Sequence, residues 1–171
     1  LMTALRITKH GEKVLRKKSE AVDFSFYRGK LPALLKDMWE TMHVARGVGL
    51  AAPQIGLNLR VAIIDTKPEG KSRPLVLVNP ELVEKEGEIE EEEGCLSIPG
   101  LYAKVKRFKR VKARAFNQHG IPIEITGEGL LARALQHEID HLNGKLFIDH
   151  LPLLRRLKVQ TLIKQIKKDW D

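Results

Sequence analysis

The alternation of apolar and polar positions predicts three helices. One is expected over residues 31–42, because a proline at position 32 suits a first helical turn and the Gly-Val-Gly run at residues 47–49 ends it. A second is expected over residues 128–143, with Gly144 as its C-terminal cap. A third is expected over residues 152–168, with lysines and arginines opposite a buried apolar stripe. That stripe comprises Leu154, Leu157, Leu162, Ile163, Ile166 and Trp170.

Short apolar runs in the middle of the chain predict strands. They cover residues 60–65, 74–79, 102–107, 111–116 and 121–126, whereas residues 5–30 indicate loops and short turns. The last two runs are joined by a turn at residues 117–120, which predicts a hairpin with one buried and one basic, solvated face. Together the pattern predicts an α+β fold. Mostly antiparallel strands pack around the central helix of residues 128–143, with an N-terminal and a C-terminal helix beside them.

Composition narrows the class of protein. The chain has 171 residues, with 43% hydrophobic and 30% charged positions, which fits one globular domain over residues 1–171. No apolar run approaches the ~20 residues of a membrane helix, and residues 1–6 lack the apolar core of a signal peptide. One cysteine permits no internal disulfide, which favours the cytoplasm. The net charge of +8 suggests an acidic partner surface.

The central helix contains a candidate metal site. His137 and His141 stand four residues apart, so both lie on one helix face and can bind one ion. Glu138 lies beside that ion, placed to move protons for a metal-bound water. The pattern H-E-x-x-H is shared by many metalloproteases, and the third ligand therefore decides the class of enzyme.

The usual third ligands are absent. Gly144 fits one extended protease pattern, but Phe147 stands where that pattern needs a histidine, and no glutamate follows Glu138. Asp149 and His150 are ligands by type, but both lie near Pro152, where the helix is expected to have ended. The one thiol is Cys95. A thiolate with two imidazoles is a sound catalytic set that leaves a position for water, and by itself it suggests zinc.

Three motifs occur in order: residues 47–54 (GVGLAAPQ), 93–97 (EGCLS) and 136–144 (QHEIDHLNG). This set resembles peptide deformylase, which removes the N-formyl group from new polypeptides, and the resemblance covers nearly the whole chain. It implies that Cys95, His137 and His141 are the metal ligands. It also implies that Glu138 is the acid and base, and that the Gln54 side chain and Leu96 backbone stabilise the oxyanion.

The resemblance further implies a cofactor and a substrate pocket. The metal is expected to be Fe²⁺ in the cell, with Zn²⁺ also able to occupy the site. The methionine pocket is expected to be lined by Val48, Leu130 and the stem of Arg133, with Glu93 near its mouth, and the Gly49 backbone is expected to pair with an extended substrate. Tyr102 stands where some family members carry an arginine that touches the substrate backbone, so it counts among the substrate-binding residues.

The expected partners are N-formylmethionyl peptides, with no membrane involved. The lysines and arginines of the last helix also suggest docking on ribosomal RNA. Two other functions stay open on the residues alone: a zinc endopeptidase using the same helix, and a basic nucleic-acid-binding protein with a structural metal. Asp140 is expected to support structure, and the acidic run of residues 90–93 is expected to be a solvated strand end, Glu93 excepted.

Overall fold

The structure, a computed structural model, describes residues 4–170. Its helices are α1 (Phe24–Tyr27), α2 (Leu31–Val44), α3 (Gly129–Leu142) and α4 (Leu153–Ile166). Its strands are β1 (Gly49–Ala51), β2 (Val61–Ile64), β3 (Leu75–Glu86), β4 (Ile89–Gly94), β5 (Tyr102–Arg107), β6 (Arg110–Phe116) and β7 (Pro122–Glu128). Within residues 4–170, no helix has the length and apolar character needed to cross a membrane.

The strands form two antiparallel sheets. The larger has the order β1-β2-β3-β6-β7, and the smaller is the hairpin of β4 and β5. The predicted β6–β7 hairpin is confirmed, with Val111, Ala113 and Ala115 buried on one face. Its turn is fixed by the Asn117 carboxamide oxygen, which accepts hydrogen bonds from the two backbone N–H groups of His119 and Ile121. The α+β prediction with antiparallel strands is therefore confirmed.

Helix α3 lies against the large sheet through its apolar face. Ala132, Leu135, Ile139 and Leu142 recur at helical spacing and pack with Ala62, Ile64, Leu77 and Ala113. The helix approaches β7 closely, because a Cβ atom at Gly127 would lie 2.9 Å from the Leu131 side chain. Each fully buried leucine or isoleucine stabilises this packing by roughly 2 kcal/mol. The buried face fixes the opposite part of α3, which carries the histidines.

Helix α2 covers another part of the sheet. Leu31, Leu35, Met38 and Met42 follow one face of the helix and pack with Leu50, Ile63 and Val78. The helix ends at Val44, and the Gly47 N–H donates to the Met42 carbonyl at 3.0 Å. The Gly-Val-Gly run therefore stops the helix as predicted and leads directly into β1.

The predicted stripe on α4 is wrong for its leucines. Leu154, Leu157 and Leu162 are 74%, 52% and 41% exposed, whereas Ile163 is buried. The buried face is formed by Ile163 with the partly buried Val159, Ile166 and Trp170. At 100° per residue, Leu154 lies on the opposite side of the helix from Ile163. The leucines fitted a helical period, but they belong to a second stripe that faces outward.

One strand was absent from the prediction, one was expected only as a strand end over residues 90–93, and one is longer than predicted. Strand β1 has three residues, β4 has five acidic or apolar residues before Gly94, and β3 continues to Glu86. The second half of β3 is polar, and its pairing with β6 holds it extended. The alternation of apolar and polar residues is weak in this half of β3, because hydrogen bonds to β6, rather than burial of one face, stabilise it. The short turns expected over residues 5–30 are confirmed by α1 and a 3₁₀ turn at Lys13–Arg16.

Candidate active site

Cys95, His137 and His141 come together as one cluster. The two histidines project from α3 with their rings 5.0 Å apart, and Cys95 follows β4 in a turn closed by the Ile98 N–H on the Cys95 carbonyl at 2.9 Å. The Cys95 Sγ atom lies 3.4 Å from His141 Nε2, and one donor atom from each of the three residues lies within 4.8 Å of the others. This donor set fits a divalent transition metal, since a thiolate and two imidazoles are common ligands of such ions.

The electrostatics of the cluster favour a thiolate. Burial alone would raise the pKa of Cys95, but the charge of His141 and hydrogen bonds from both histidines lower it well below its ordinary value. Burial would likewise lower the pKa of His137, yet Cys95 and Glu93 raise it well above the usual range. These shifts favour a thiolate at Cys95, which is the form that binds metals.

Glu93 orients His137. The carboxylate of Glu93 is 6% exposed and accepts a hydrogen bond from His137 Nδ1 at 3.0 Å. A carboxylate only accepts, so Nδ1 donates to it, and Nε2 is the nitrogen that could bind a metal once it has given up its own proton. Arg107 donates to the same carboxylate from Nε at 2.8 Å and Nη2 at 2.9 Å. Burial disfavours the charge, but these hydrogen bonds lower the pKa of Glu93 to about 2.

The ion network continues behind the cluster. Arg107 is 3% exposed and also donates to Asp140 at 2.6 Å, and Asp140 contacts His150 Nε2 at 2.7 Å. Asp140 thus supports structure, as expected, through Arg107 rather than through a metal ligand. Asp149 lies apart from the site and bonds Arg16 and the Leu146 N–H. Neither Asp149 nor His150 joins the cluster of Cys95 and the α3 histidines.

Glu138 lies against the backbone of Gly49. A Cβ atom at Gly49 would stand 2.5 Å from Glu138 Oε2 and 2.9 Å from its Cδ, so the missing side chain makes room for this carboxylate. Glu138 is 4% exposed, and its Oε1 has no hydrogen-bond partner among the described residues. Burial raises its pKa above the ordinary value, although the charges of His137 and His141 oppose the change. A buried carboxyl group beside the cluster is placed to take up and return a proton.

Gln54 and Leu96 lie beside the cluster. Gln54 is 2% exposed, its oxygen accepts from the Ala51 N–H at 3.0 Å, and its Nε2 therefore faces Ser97 Oγ at 3.1 Å and Cys95 Sγ at 3.7 Å. Leu96 follows Cys95 directly and packs so closely on Gly47 that a Cβ there would meet its Cδ1 at 2.8 Å. The first and second sequence motifs thus meet at the cluster.

A cavity of about 540 Å³ opens over this cluster. All predicted site residues except His141 line it. Val48, Leu130 and Tyr102 are 45%, 44% and 66% exposed, and they form an apolar rim. Arg133 Nη1 donates to the Glu92 carbonyl at 3.3 Å. Glu93 also borders the cavity, but its carboxylate accepts hydrogen bonds from Arg107 and His137.

Sequence reasoning did not single out Arg107 or Ser97. Arg107 ends a lysine-rich strand, which is typical of solvated positions, and its charge partners, Glu93 and Asp140, come from two separate segments. Ser97 belongs to the second motif but has a common residue type at a turn. The resemblance placed Glu93 near the mouth of the pocket, and its buried pairing with Arg107 was not predicted.

Comparison with known proteins supports these observations. The polypeptide deformylase family model matches residues 4–157. The peptide deformylase of Endomicrobium trichonymphae is 48% identical over 171 residues, covering 99% of this chain and 100% of the relative. A crystal structure of a peptide deformylase from Legionella pneumophila matches with a TM-score of 0.88 and 47% identity, covering 96% of each chain. A Met-Ala-Ser-bound class I type b peptide deformylase from Acinetobacter baumannii matches with a TM-score of 0.84 and 34% identity, covering 88% of this chain and 100% of that one. The chain therefore belongs to the peptide deformylase family.

Proposed function

We propose that this chain hydrolyses the N-formyl group of formylmethionine at the start of new polypeptides and releases formate. The observation that carries the proposal is the meeting of Cys95, His137 and His141 with Glu138 and Gln54 at the floor of one cavity. Membership of the deformylase family agrees with this reaction. The related enzyme with bound Met-Ala-Ser holds a peptide that deformylation of formyl-Met-Ala-Ser would leave. Nothing in the site favours an endopeptidase or a nucleic-acid-binding protein.

Cys95, His137 and His141 would hold one divalent metal ion. When bound, the ion supplies Lewis acidity and lowers the pKa of a water molecule toward neutrality. We infer Fe²⁺ in the cell, with Zn²⁺ as an alternative, on the family resemblance. The supporting observation in the chain is the thiolate, a soft ligand that suits either ion.

Glu138 carries the proton transfers in this proposal. Its carboxylate accepts a proton from the attacking water, whose oxygen forms a bond to the formyl carbon. The C–N bond then breaks, Glu138 returns the proton to the leaving amine, and formate departs. The Gln54 amide and the Leu96 backbone N–H donate to the oxygen that becomes negative in between. The burial of Gln54 and Glu138 supports these roles, because donors and acceptors act most strongly away from water.

The substrate side chain would lie along the rim of the cavity. Val48, Leu130 and the stem of Arg133 provide an apolar surface for methionine. The Gly49 backbone would pair with the extended peptide, and Tyr102 would border the residues that follow. Glu93 acts indirectly, through the orientation of His137.

We further infer one catalytic domain over residues 1–171, working in the cytoplasm near translating ribosomes. The basic side chains of α4 and its outward leucines support a docking role for this helix. Deleting residues 152–171 should reduce co-sedimentation with ribosomes. Unchanged co-sedimentation would refute the docking of α4 on ribosomes and would not bear on the proposed reaction.

Glu138→Gln tests the reaction directly. It should abolish formate release from formyl-Met-Ala-Ser while the metal content stays at the wild-type level, because the amide cannot accept the proton. Glu124→Gln, at an exposed position on β7, is the matched control and should retain full activity. Undiminished turnover in Glu138→Gln would refute the assignment, and cleavage of unblocked peptides would favour the endopeptidase.

A further inference from the structure

We propose that Trp170 is a positioning residue for the peptide-binding cleft. Its indole Nε1–H donates to the Pro99 carbonyl at 3.0 Å and thereby holds the loop of residues 99–102 in place. This loop forms one wall of the cavity described above. The inference rests on the proposed function, because the effect of the wall is measured as the KM for a formyl peptide.

The segment from Cys95 to Tyr102 unites the metal cluster and the cleft wall. Inside it, the Ile98 N–H bonds the Cys95 carbonyl at 2.9 Å and the Leu101 N–H bonds the Ile98 carbonyl at 3.3 Å. The first half is also tied to the N-terminal region by a hydrogen bond to the Ser97 carbonyl. Its tip has Pro99, which has no N–H to donate, and Gly100, with a φ of +87°. The bond from Trp170 is thus an external anchor for the tip.

Helix α4 and the residues after it make two hydrogen bonds to this region, one to the wall itself and one to β5 just after the wall. At the start of the helix, Arg155 Nη2 donates to the Lys104 carbonyl at 3.0 Å. Beyond its end, Trp170 bonds Pro99. Between the two, the buried face of α4 and the loop belong to the same apolar cluster. Its members include Val159, Ile163 and Ile166 on the helix, with Ile98 and Leu101 on the loop. Helix α4 and Trp170 therefore support the cleft wall on the side away from the cavity.

Trp170 lies outside the part of the chain that the family model matches, residues 4–157. A partly buried indole N–H needs an acceptor, and here that acceptor belongs to the wall. A bond that served only to dock the helix end would affect unfolding alone. A bond that positions the wall would affect how tightly the peptide is held, and the two roles therefore have different readouts.

Trp170→Phe isolates the hydrogen bond, because phenylalanine keeps an aromatic ring and loses the N–H. With the metal-loaded, full-length enzyme and formyl-Met-Ala-Ser, we expect KM to rise about threefold to tenfold, the effect of one hydrogen bond. The kcat should stay within error of the wild type, and the melting temperature should fall by no more than about 4 °C. Trp39→Phe, at the other tryptophan of the chain in the α2 core, is the matched control and should leave KM unchanged. Trp170→Ala should raise KM further, because it also removes the packing.

Absorption bands of the Co²⁺-loaded enzyme distinguish an effect on the cleft wall from an effect on the metal cluster. They should be unchanged in Trp170→Phe, since the anchor acts on residues 99–102 and not on Cys95. An unchanged KM, with or without a lower melting temperature, would overturn the inference. A fall in kcat with altered Co²⁺ bands would also overturn it, since the effect would then lie at the metal. Formate release by the wild type in the same assay tests the proposed function separately.

Discussion

Replacing Arg107 with methionine should strongly destabilise the protein. Arg107 is 3% exposed and makes two hydrogen bonds to Glu93 and one to Asp140. Methionine fills a similar volume without charge, so the buried carboxylate of Glu93 and the partly buried one of Asp140 would remain without the arginine that pairs with them. Removing one partner of a buried ion pair costs about 3–5 kcal/mol, because the other charge is left uncompensated.

The pKa of Glu93 gives an independent magnitude. Its lowering from 4.5 to about 2 corresponds to roughly 3 kcal/mol, and Arg107 supplies two of the three side-chain hydrogen bonds described for it. We therefore expect Arg107→Met to lower the free energy of unfolding by about 3 kcal/mol at pH 7. For a domain of this size, the melting temperature should fall by about 10 °C.

Urea unfolding of metal-free protein across pH checks both numbers. The folded-state pKa of Glu93 is lowered, so its contribution is complete above pH 4.5 and is lost as pH falls toward 2. The difference in free energy of unfolding between wild type and Arg107→Met should thus be largest at neutral pH and should decrease below pH 4.5. Arg110→Met, which removes only half-exposed surface pairs, should cost under about 0.5 kcal/mol. A loss below about 1 kcal/mol for Arg107→Met at pH 7 would refute the reasoning.

Two further changes test other contacts. Gly49→Ala should lower kcat roughly 100-fold with metal content unchanged, because the new methyl group displaces the Glu138 carboxylate, whereas Gly29→Ala, where the methyl group meets open space, should have no effect on kcat. Asp65→Asn should lower the free energy of unfolding by about 1 kcal/mol at pH 7. Burial opposes the charge of Asp65, but hydrogen bonds from Ser72 and two backbone N–H groups lower its pKa. The difference in urea unfolding should therefore shrink as pH falls below about 4, and a constant difference would contradict this origin.

The central helix and the metal cluster were predictable because their signals are local. The spacing of His137 and His141 places both on one face of α3, and the apolar period of that helix fixes which face is buried. The helix and its histidine pair depend on a few neighbouring residues, so the sequence carries them directly. Cys95 was identified by its residue type and its motif, but its place beside the histidines depends on the fold.

The environment of the cluster was not predictable in the same way. Whether Arg107 is solvated or buried depends on Glu93 and Asp140, which reach it from other segments of the chain. The face of α4 was ambiguous, because the helix has two apolar stripes and only packing against Ile98 and Leu101 selects one. Room for Glu138 against Gly49 likewise arises only when α3 and β1 are brought together.

The separation of the ligands along the chain also has a topological consequence. Cys95 and His141 lie 46 residues apart, one directly after β4 and the other on α3. A metal ion bound to both would close a loop that includes β5, β6, β7 and most of α3. By the chain-entropy relation used for disulfides, a cross-link over such a loop disfavours the unfolded chain by about 4 kcal/mol. The ion would then also stabilise the fold, and removing it should lower the free energy of unfolding as well as the activity.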